Sequence, residues 1–431
     1  MLNAIKNISN RTETENGAAA FSTSGSDCLD FFSTVGGLRD ASSEEVVSRF
    51  VRAYCENPDY AMKLLFFTRD IRGGLGERKI FKTILSWLSD NKPMSMRKNI
   101  AYVAEYGRFD DLLSLLGTAC EGDMLMCLKE QFDKDMYAHS MGETVSLLGK
   151  WLPSINASNK DAVKAAKKIA KSFGLTDAEY RKALSALRKD IKIIENNLRE
   201  KDYTFDYEKQ PSKALLKYRA AFRRNDSDRY LEFIMKVNSG EAKLNASTIM
   251  PYEIVGKTLS TWGDFNMPDD ADVLDATWKS LPNYAGSENM LAVVDGSGSM
   301  YAPMYGVSPA SVALCLGIYF AERNMGAFHN HFITFSARPQ LIEIKGEDIC
   351  SKVEYVHTFD EVANTNLQAV FELILNAAIS GNMKQEDIPS KLVIISDMEF
   401  NYCAQNAGMT NFEYAKKIFA HAGYKLPKVI F

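Results

Sequence analysis

MLAVVDGSGSM, residues 290–300, is a short apolar run that stops at an aspartate and then turns on two glycines. An unbroken apolar run of strand length suits a strand buried on both faces, as in a parallel sheet. The residues beyond it repeat one grammar. SPASVALCLGIYFAERN (308–324), NLQAVFELILNAAIS (366–380) and FEYAKKIFAHA (412–422) have helical spacing, and between and after them HFITFS (331–336), KLVIIS (391–396) and KVIF (428–431) are strand-like. This alternation predicts a mainly parallel, doubly wound α/β domain over residues 287–431, with helices on both faces of the sheet.

Open parallel sheets bind ligands beyond the carboxyl ends of their strands. Asp295, Ser297 and Ser299 fall there, and the D-x-S-x-S spacing brings one carboxylate and two hydroxyls to one side of a tight loop. Gly296 and Gly298 permit close backbone approach. Such oxygens suit a hard dication: Mg²⁺ takes an octahedron at roughly 2.0–2.1 Å and keeps waters, and Mn²⁺ accepts a similar set. Thr365, opening the helix at 366, and Asp397, directly after KLVIIS, extend the set. With two carboxylates around it, the ion keeps a position for an external carboxylate or phosphate oxygen. Plainer uses compete: a strand-to-helix joint for DGSGS, a loop cap for Asp397 and an N-cap for Thr365, with Thr358 and Asn364 as its substitutes in the site.

LAVVDGSGSM with Thr365 and Asp397 resembles the von Willebrand factor A (vWA) domain, a Rossmann-like fold, and its metal-ion-dependent adhesion site. The resemblance implies that Asp295, Ser297, Ser299, Thr365 and Asp397 hold Mg²⁺ directly or through water. The first three match outright, and the last two match by order and by placement after strands. Domains of this kind usually continue past the strand on which KLPKVIF stops, so a domain shortened at its C-terminus is expected, with an open sheet edge.

The 431 residues are roughly two to three domain lengths, and 46% hydrophobic with 25% charged residues is enough to build cores. No run of about 18 apolar residues occurs and the N-terminus lacks a signal-peptide centre, so a cytoplasmic protein with no membrane contact is expected. Seven cysteines are scattered without a CxxC pair, which suits reduced thiols better than a disulfide frame or zinc site.

From Ser43 to about Gly240 the apolar residues recur at helical spacing. SSEEVVSRFVRAYC (42–55) opens on capping residues and sets Val46, Phe50, Val51 and Tyr54 on one stripe. DAEYRKALSALRKDIKIIENNLRE (177–200) aligns Tyr180, Leu184, Leu187, Ile191, Ile194 and Leu198. The expected layout is a polar segment over 1–30, an all-helical HEAT-like array or ring over 31–260, an acidic, proline-containing linker over 261–286, and the α/β domain.

TENGAAAFSTSGSDCLDFF, LLFFTRDIRGGLGERKIF, YGRFDDLL, VSLLGKWLPS and YRKALSALRKDI resemble landmarks of a family that joins a helical region to a vWA domain in cellular and viral genomes. That family is itself similar to the TROVE module of Ro-type ribonucleoproteins, a ring of HEAT-like pairs closed by a vWA domain. The likeness implies binding of structured or single-stranded non-coding RNA. Charge agrees in part: Lys150–Asn245 carries 22 Lys+Arg against 13 Asp+Glu, whereas Ala246 onward carries 12 against 21. Lys164, Lys167, Lys168 and Lys171, then Arg181, Arg188, Arg219, Arg223 and Arg224, are the phosphate-binding candidates, with Tyr180, Tyr218 and Phe222 placed to stack on bases. Lys-rich helices are also commonly solvated faces.

No enzyme is expected. GSGS is not the G-x-S-x-G elbow, and the last histidine, His421, falls inside an apparent helix. GGLGERK (73–79) lacks phosphate-loop spacing and reads as a turn, and His329 and His331 read as structural. The expected function is a non-enzymatic RNA-binding scaffold with a Mg²⁺-dependent adhesion site. The alternative is a protein-interaction module in which a partner carboxylate completes the metal shell.

Overall fold

The computed structural model describes residues 1–14, 17–191, 193–260, 264–301, 307–359, 366–397 and 409–431. Contacts divide the chain into two compact units, Thr23–Tyr203 and a discontinuous one of Met1–Ser22 with Thr204–Phe431.

In the Thr23–Tyr203 unit every described regular element is helical. Local chemistry explains where the helices begin. The Ser42 side chain accepts from Glu45 N–H at the start of Ser43–Glu56, and Asn57 does so for Tyr60 with Pro58 in the first turn. Thr176 and Glu179 form a reciprocal capping box on Asp177–Asp190. Inward faces such as Val46, Phe50, Leu65, Phe81, Leu128, Ile169 and Leu187 merge into one apolar core. The single stripe expected over 177–200 is broken: one helix stops at Asp190 and another runs Ile194–Glu200. Asn196 Nδ2 donates to the Ile191 carbonyl at 3.2 Å, satisfying a group that a continuing helix would have used.

Among its described residues the second unit contains seven strands: β1 Arg11–Glu13, β2 Ala19–Phe21, β3 Met290–Asp295, β4 His331–Phe335, β5 Leu341–Glu343, β6 Lys391–Ile395 and β7 Lys428–Ile430. β1 and β2 form a hairpin, and the rest form one sheet in the order β5-β4-β3-β6-β7. β4 and β6 flank β3 in parallel and β7 extends β6, while β5 runs antiparallel to β4. The parallel strands and their helices are those expected from the sequence; short β5 is an addition.

The central strand β3 is buried along its whole length. Leu291 and Val293 face a core shared with the helices Leu367–Ser380 and Asn411–His421 and with Ala18. Val294 faces the Pro309–Arg323 helix so closely that a Cβ on Gly317 would lie 2.5 Å from Val294 Cγ2. The sheet is thus covered on both faces.

Three boundaries differ from expectation. The compact units divide after Tyr203, so the helices Ser212–Asn225, Ser227–Ser239 and Pro251–Val255 belong with the sheet. The expected linker contains a helix, Ala271–Lys279, that buries Val273, Leu274, Ala276 and Trp278. Its acidic look is misleading because its carboxylates are engaged: Asp275 accepts from Ile349 N–H at 3.0 Å and meets Lys279, and Asp272 meets Arg223. The polar N-terminal segment supplies a hairpin to the sheet-bearing unit, where Arg11 pairs with Glu413 at 3.1 Å.

Candidate metal centre

β3 and β6 are in register up to Val294↔Ile395, so Asp295 and Ser396 emerge side by side at adjacent strand ends. The Ser396 hydroxyl donates to Asp295 Oδ2 at 2.5 Å, and the Ser297 backbone N–H donates to Asp295 Oδ1 at 2.8 Å. Ser297 Oγ and Ser299 Oγ lie 3.1 Å apart. A short 3₁₀ turn, Gly298–Tyr301, follows, anchored by buried Met300. Asp295 is 1% exposed and Ser297 is buried, while Ser299 and Asp397 face solvent, so the group runs from a buried carboxylate to an open mouth.

Burial pushes the Asp295 carboxyl above its ordinary range, and the charge of Asp397 adds to the rise; hydrogen bonds from Ser396 and Ser297 oppose it without cancelling it. A buried carboxylate under these influences suits a cation. Two carboxylates with neighbouring hydroxyls are a hard oxygen set that fits Mg²⁺ or Mn²⁺. Among the described residues no three His, Cys, Asp or Glu side chains gather as a metal cluster, so any ion here depends on hydroxyls and water as well.

Thr365 and its substitute Asn364 lie outside the described residues. Thr358 serves its own helix end, its hydroxyl donating to the Tyr355 carbonyl at 2.7 Å. Ser396 was missed by sequence reasoning, although its place between the strand KLVII and Asp397 is the signal that could have found it.

The basic candidates divide between the two units. Lys164, Lys167, Lys168 and Lys171 share one face of the Lys160–Ser172 helix, opposite buried Ala166, Ile169 and Ala170. Lys168 contacts Glu121 at 2.6 Å, Lys167 reaches Asp177 at 3.7 Å and Lys164 reaches Asp161 at 3.5 Å. Arg181 and Arg224 are exposed. Arg188 is spent internally: its three donor nitrogens serve the Gly149 carbonyl, the Ser154 hydroxyl and the Leu152 carbonyl. Arg219 pairs with Asp270 at 2.6 Å and Arg223 with Asp272 at 2.8 Å. Tyr180 and Phe222 are fully buried, which removes them as stacking platforms; Tyr218 is half-buried.

GGLGERK is a structural turn. Arg69 is buried against Asp111 at 2.7 Å, Glu77 is held by Arg39, and a Cβ on Gly74 would collide with the Phe67 carbonyl. His329 and His331 each engage a backbone carbonyl through Nδ1. Among the described residues no helix is long and apolar enough to cross a membrane.

The family model of a domain of unknown function, DUF2828, matches residues 14–139 and 126–284, and that of another, DUF7788, matches 289–431. Uncharacterized protein L728 of Acanthamoeba polyphaga mimivirus is 32% identical over 459 residues, covering 98% of this chain and 79% of that one. The crystal structure of the Deinococcus radiodurans RO (RSR) protein overlays 97% of this chain and 88% of that chain at 13% identity, with a TM-score of 0.45.

Proposed function

We propose, for a chain that belongs to the DUF2828 family, the role of a non-enzymatic RNA-binding scaffold whose sheet carries a divalent-cation adhesion site. The carrying observation is the buried Asp295 carboxylate at the C-terminal edge of the sheet, with Ser297 and Ser396 bonded to it and the charge of Asp397 acting on it. Mg²⁺ or Mn²⁺ held there by Asp295, Ser297, Ser299, Asp397 and Thr365 would supply Lewis acidity toward an external oxygen. The chain's own part is to orient Asp295 and to leave Ser299 and Asp397 at the mouth.

The RNA part rests on the lysine face of Lys160–Ser172, with Arg181 and Arg224 as further contacts. Lysines attract phosphates without reading sequence. A salt titration of single-stranded or structured RNA tests it: with about six phosphates neutralised, log K should fall with log salt at a slope near −4 to −5. Absence of binding at low salt ends the reading.

A second reading is favoured by the exposure of Asp397 and Ser299 at the mouth, which leaves room for a partner's carboxylate to complete the shell without RNA. Asp295→Ala separates the two: loss of a metal-dependent protein complex with RNA binding intact supports the partner reading.

A further inference from the structure

The sheet-bearing unit holds a cavity of about 530 Å³ that no part of the metal reading uses. Lys213, Lys217, Arg219, Tyr252, Lys257 and Ser311 line it, with Glu253 as the carboxylate in its described wall. The volume falls in the range of small-molecule sites, roughly 300–1,000 Å³.

Among the described residues, carboxylates meet two of the wall's cations, Lys213 and Arg219. Lys213 meets Glu253 at 3.3 Å, and Arg219 is held by Asp270 at 2.6 Å while Nη1 donates to the Leu216 carbonyl at 3.0 Å. Lys217 Nζ lies 4.7 Å from the Tyr218 ring centroid. Lys257 is exposed and makes no ion pair among the described residues. Cations on a concave wall focus positive potential and draw anions into it. The Pro309–Arg323 helix begins at this wall, and its N-cap residue Ser308 makes no side-chain cap, its hydroxyl donating instead to the Met300 carbonyl at 3.3 Å. The positive end of that helix adds to the lysines.

The rest of the lining is not that of a bare anion site. Leu216, Leu259 and Val307 are apolar, and Tyr252 offers a flat ring. Basic groups together with an aromatic ring and aliphatic side chains in one cavity suit a phosphorylated nucleoside. We propose that this cavity binds a nucleotide 5′-phosphate, with Lys217 and Lys257 on the phosphate and Tyr252 beside the base. The ligand is either a free mononucleotide or the 5′-terminal nucleotide of an RNA strand.

Calorimetry of the full chain in EDTA tests this separately from the metal centre. The probes are adenosine 5′-monophosphate, adenosine, and a decauridylate with or without a 5′-phosphate. Saturable binding of the phosphorylated probes, weakened about tenfold or more in Lys217→Ala/Lys257→Ala and unchanged in Asp295→Ala, is the expected result. Tighter binding of the phosphorylated decamer than of the monophosphate identifies an RNA end as the source, and equal or weaker binding identifies the free nucleotide. The proposal is overturned if the phosphorylated probes do not bind at millimolar concentration, if adenosine binds as well as its monophosphate, or if the double variant, shown folded by circular dichroism, binds like wild type.

Discussion

Ser396 donates to Asp295 across 101 residues of chain, pinning the buried carboxylate to the end of the neighbouring strand. The raised value of that carboxyl means that its ionised form burdens the metal-free fold, and a cation should relieve the burden. Asp295→Asn keeps the shape and removes the charge, so the metal-free variant should melt higher than metal-free wild type. Mg²⁺ at about 100 times its Kd should stabilise wild type by about 2.7 kcal/mol and leave the variant unmoved. Thermal melts with and without EDTA check this; a variant that melts lower yet still responds to Mg²⁺ contradicts the site.

Replacing Lys164, Lys167, Lys168 and Lys171 together by alanine should flatten the salt slope for single-stranded RNA by about 3, at roughly 0.7 per lost contact. Arg188→Ala should instead lower stability by about 1–3 kcal/mol, because it strips the donor from two carbonyls and a hydroxyl, and should leave the slope alone. Anisotropy titrations at several salt concentrations, paired with urea melts, distinguish the outcomes.

Asp111 is fully buried and bridges Arg69 Nε at 2.7 Å and the Arg108 backbone N–H at 3.0 Å. Asp111→Ala strands a buried guanidinium and should cost about 3–5 kcal/mol by chemical denaturation. Asp111→Ala combined with Arg69→Met should recover part of that loss.

Asp110 next to it gives a pH signature. Burial would raise its carboxyl, but the hydrogen bond from Arg108 and the charges of Lys82, Arg108 and Arg78 outweigh it and hold it below 3.8. A carboxyl lowered by folding contributes stability above its unfolded value and loses it as pH falls through the folded one. Urea midpoints from about pH 5 to about pH 2 should therefore drop less steeply in Asp110→Asn than in wild type.

Gly317→Ala would press a methyl to 2.5 Å from Val294 Cγ2, one residue before Asp295. It should cost about 1–3 kcal/mol and weaken Mn²⁺ binding through the displaced strand end. Adding Val294→Ala makes room, so the double variant should lose less than the sum of the singles and regain Mn²⁺ affinity. Strict additivity would place the cost elsewhere.

The strand-and-helix alternation after residue 290 was readable because the parallel strands are short, mostly apolar segments between helical ones, and Asp295, Ser297 and Ser299 follow from the most apolar of them. The Ser396 bond was not, since it depends on the β3–β6 register. The helix Ala271–Lys279 is hidden by Asp272 and Asp275 and by Asp270 just before it; Arg219 and Arg223, the partners of Asp270 and Asp272, are phosphate-binding candidates when only the sequence is read. The contrast between a basic middle and an acidic end is thus partly cancelled in space, through Arg219–Asp270, Arg223–Asp272 and Lys213–Glu253. Composition counts charges along the chain and cannot see them meet. Tyr180 and Phe222 failed as base platforms for a related reason: an aromatic among lysines on a helix can be the residue that faces inward.

The salt bridge from Arg11 to Glu413 spans 402 residues, and Ala18 is buried in the same core as Phe419. At roughly 5–20 residues per second, the opening hairpin would wait about 20–80 s on the ribosome for the partners it packs against. The helical unit can meanwhile fold as a closed insertion between the two halves of its neighbour. The sheet-bearing unit is begun before the helical one and closed after it, so the newborn chain must keep the segment around Arg11 from straying until Glu413 has been made.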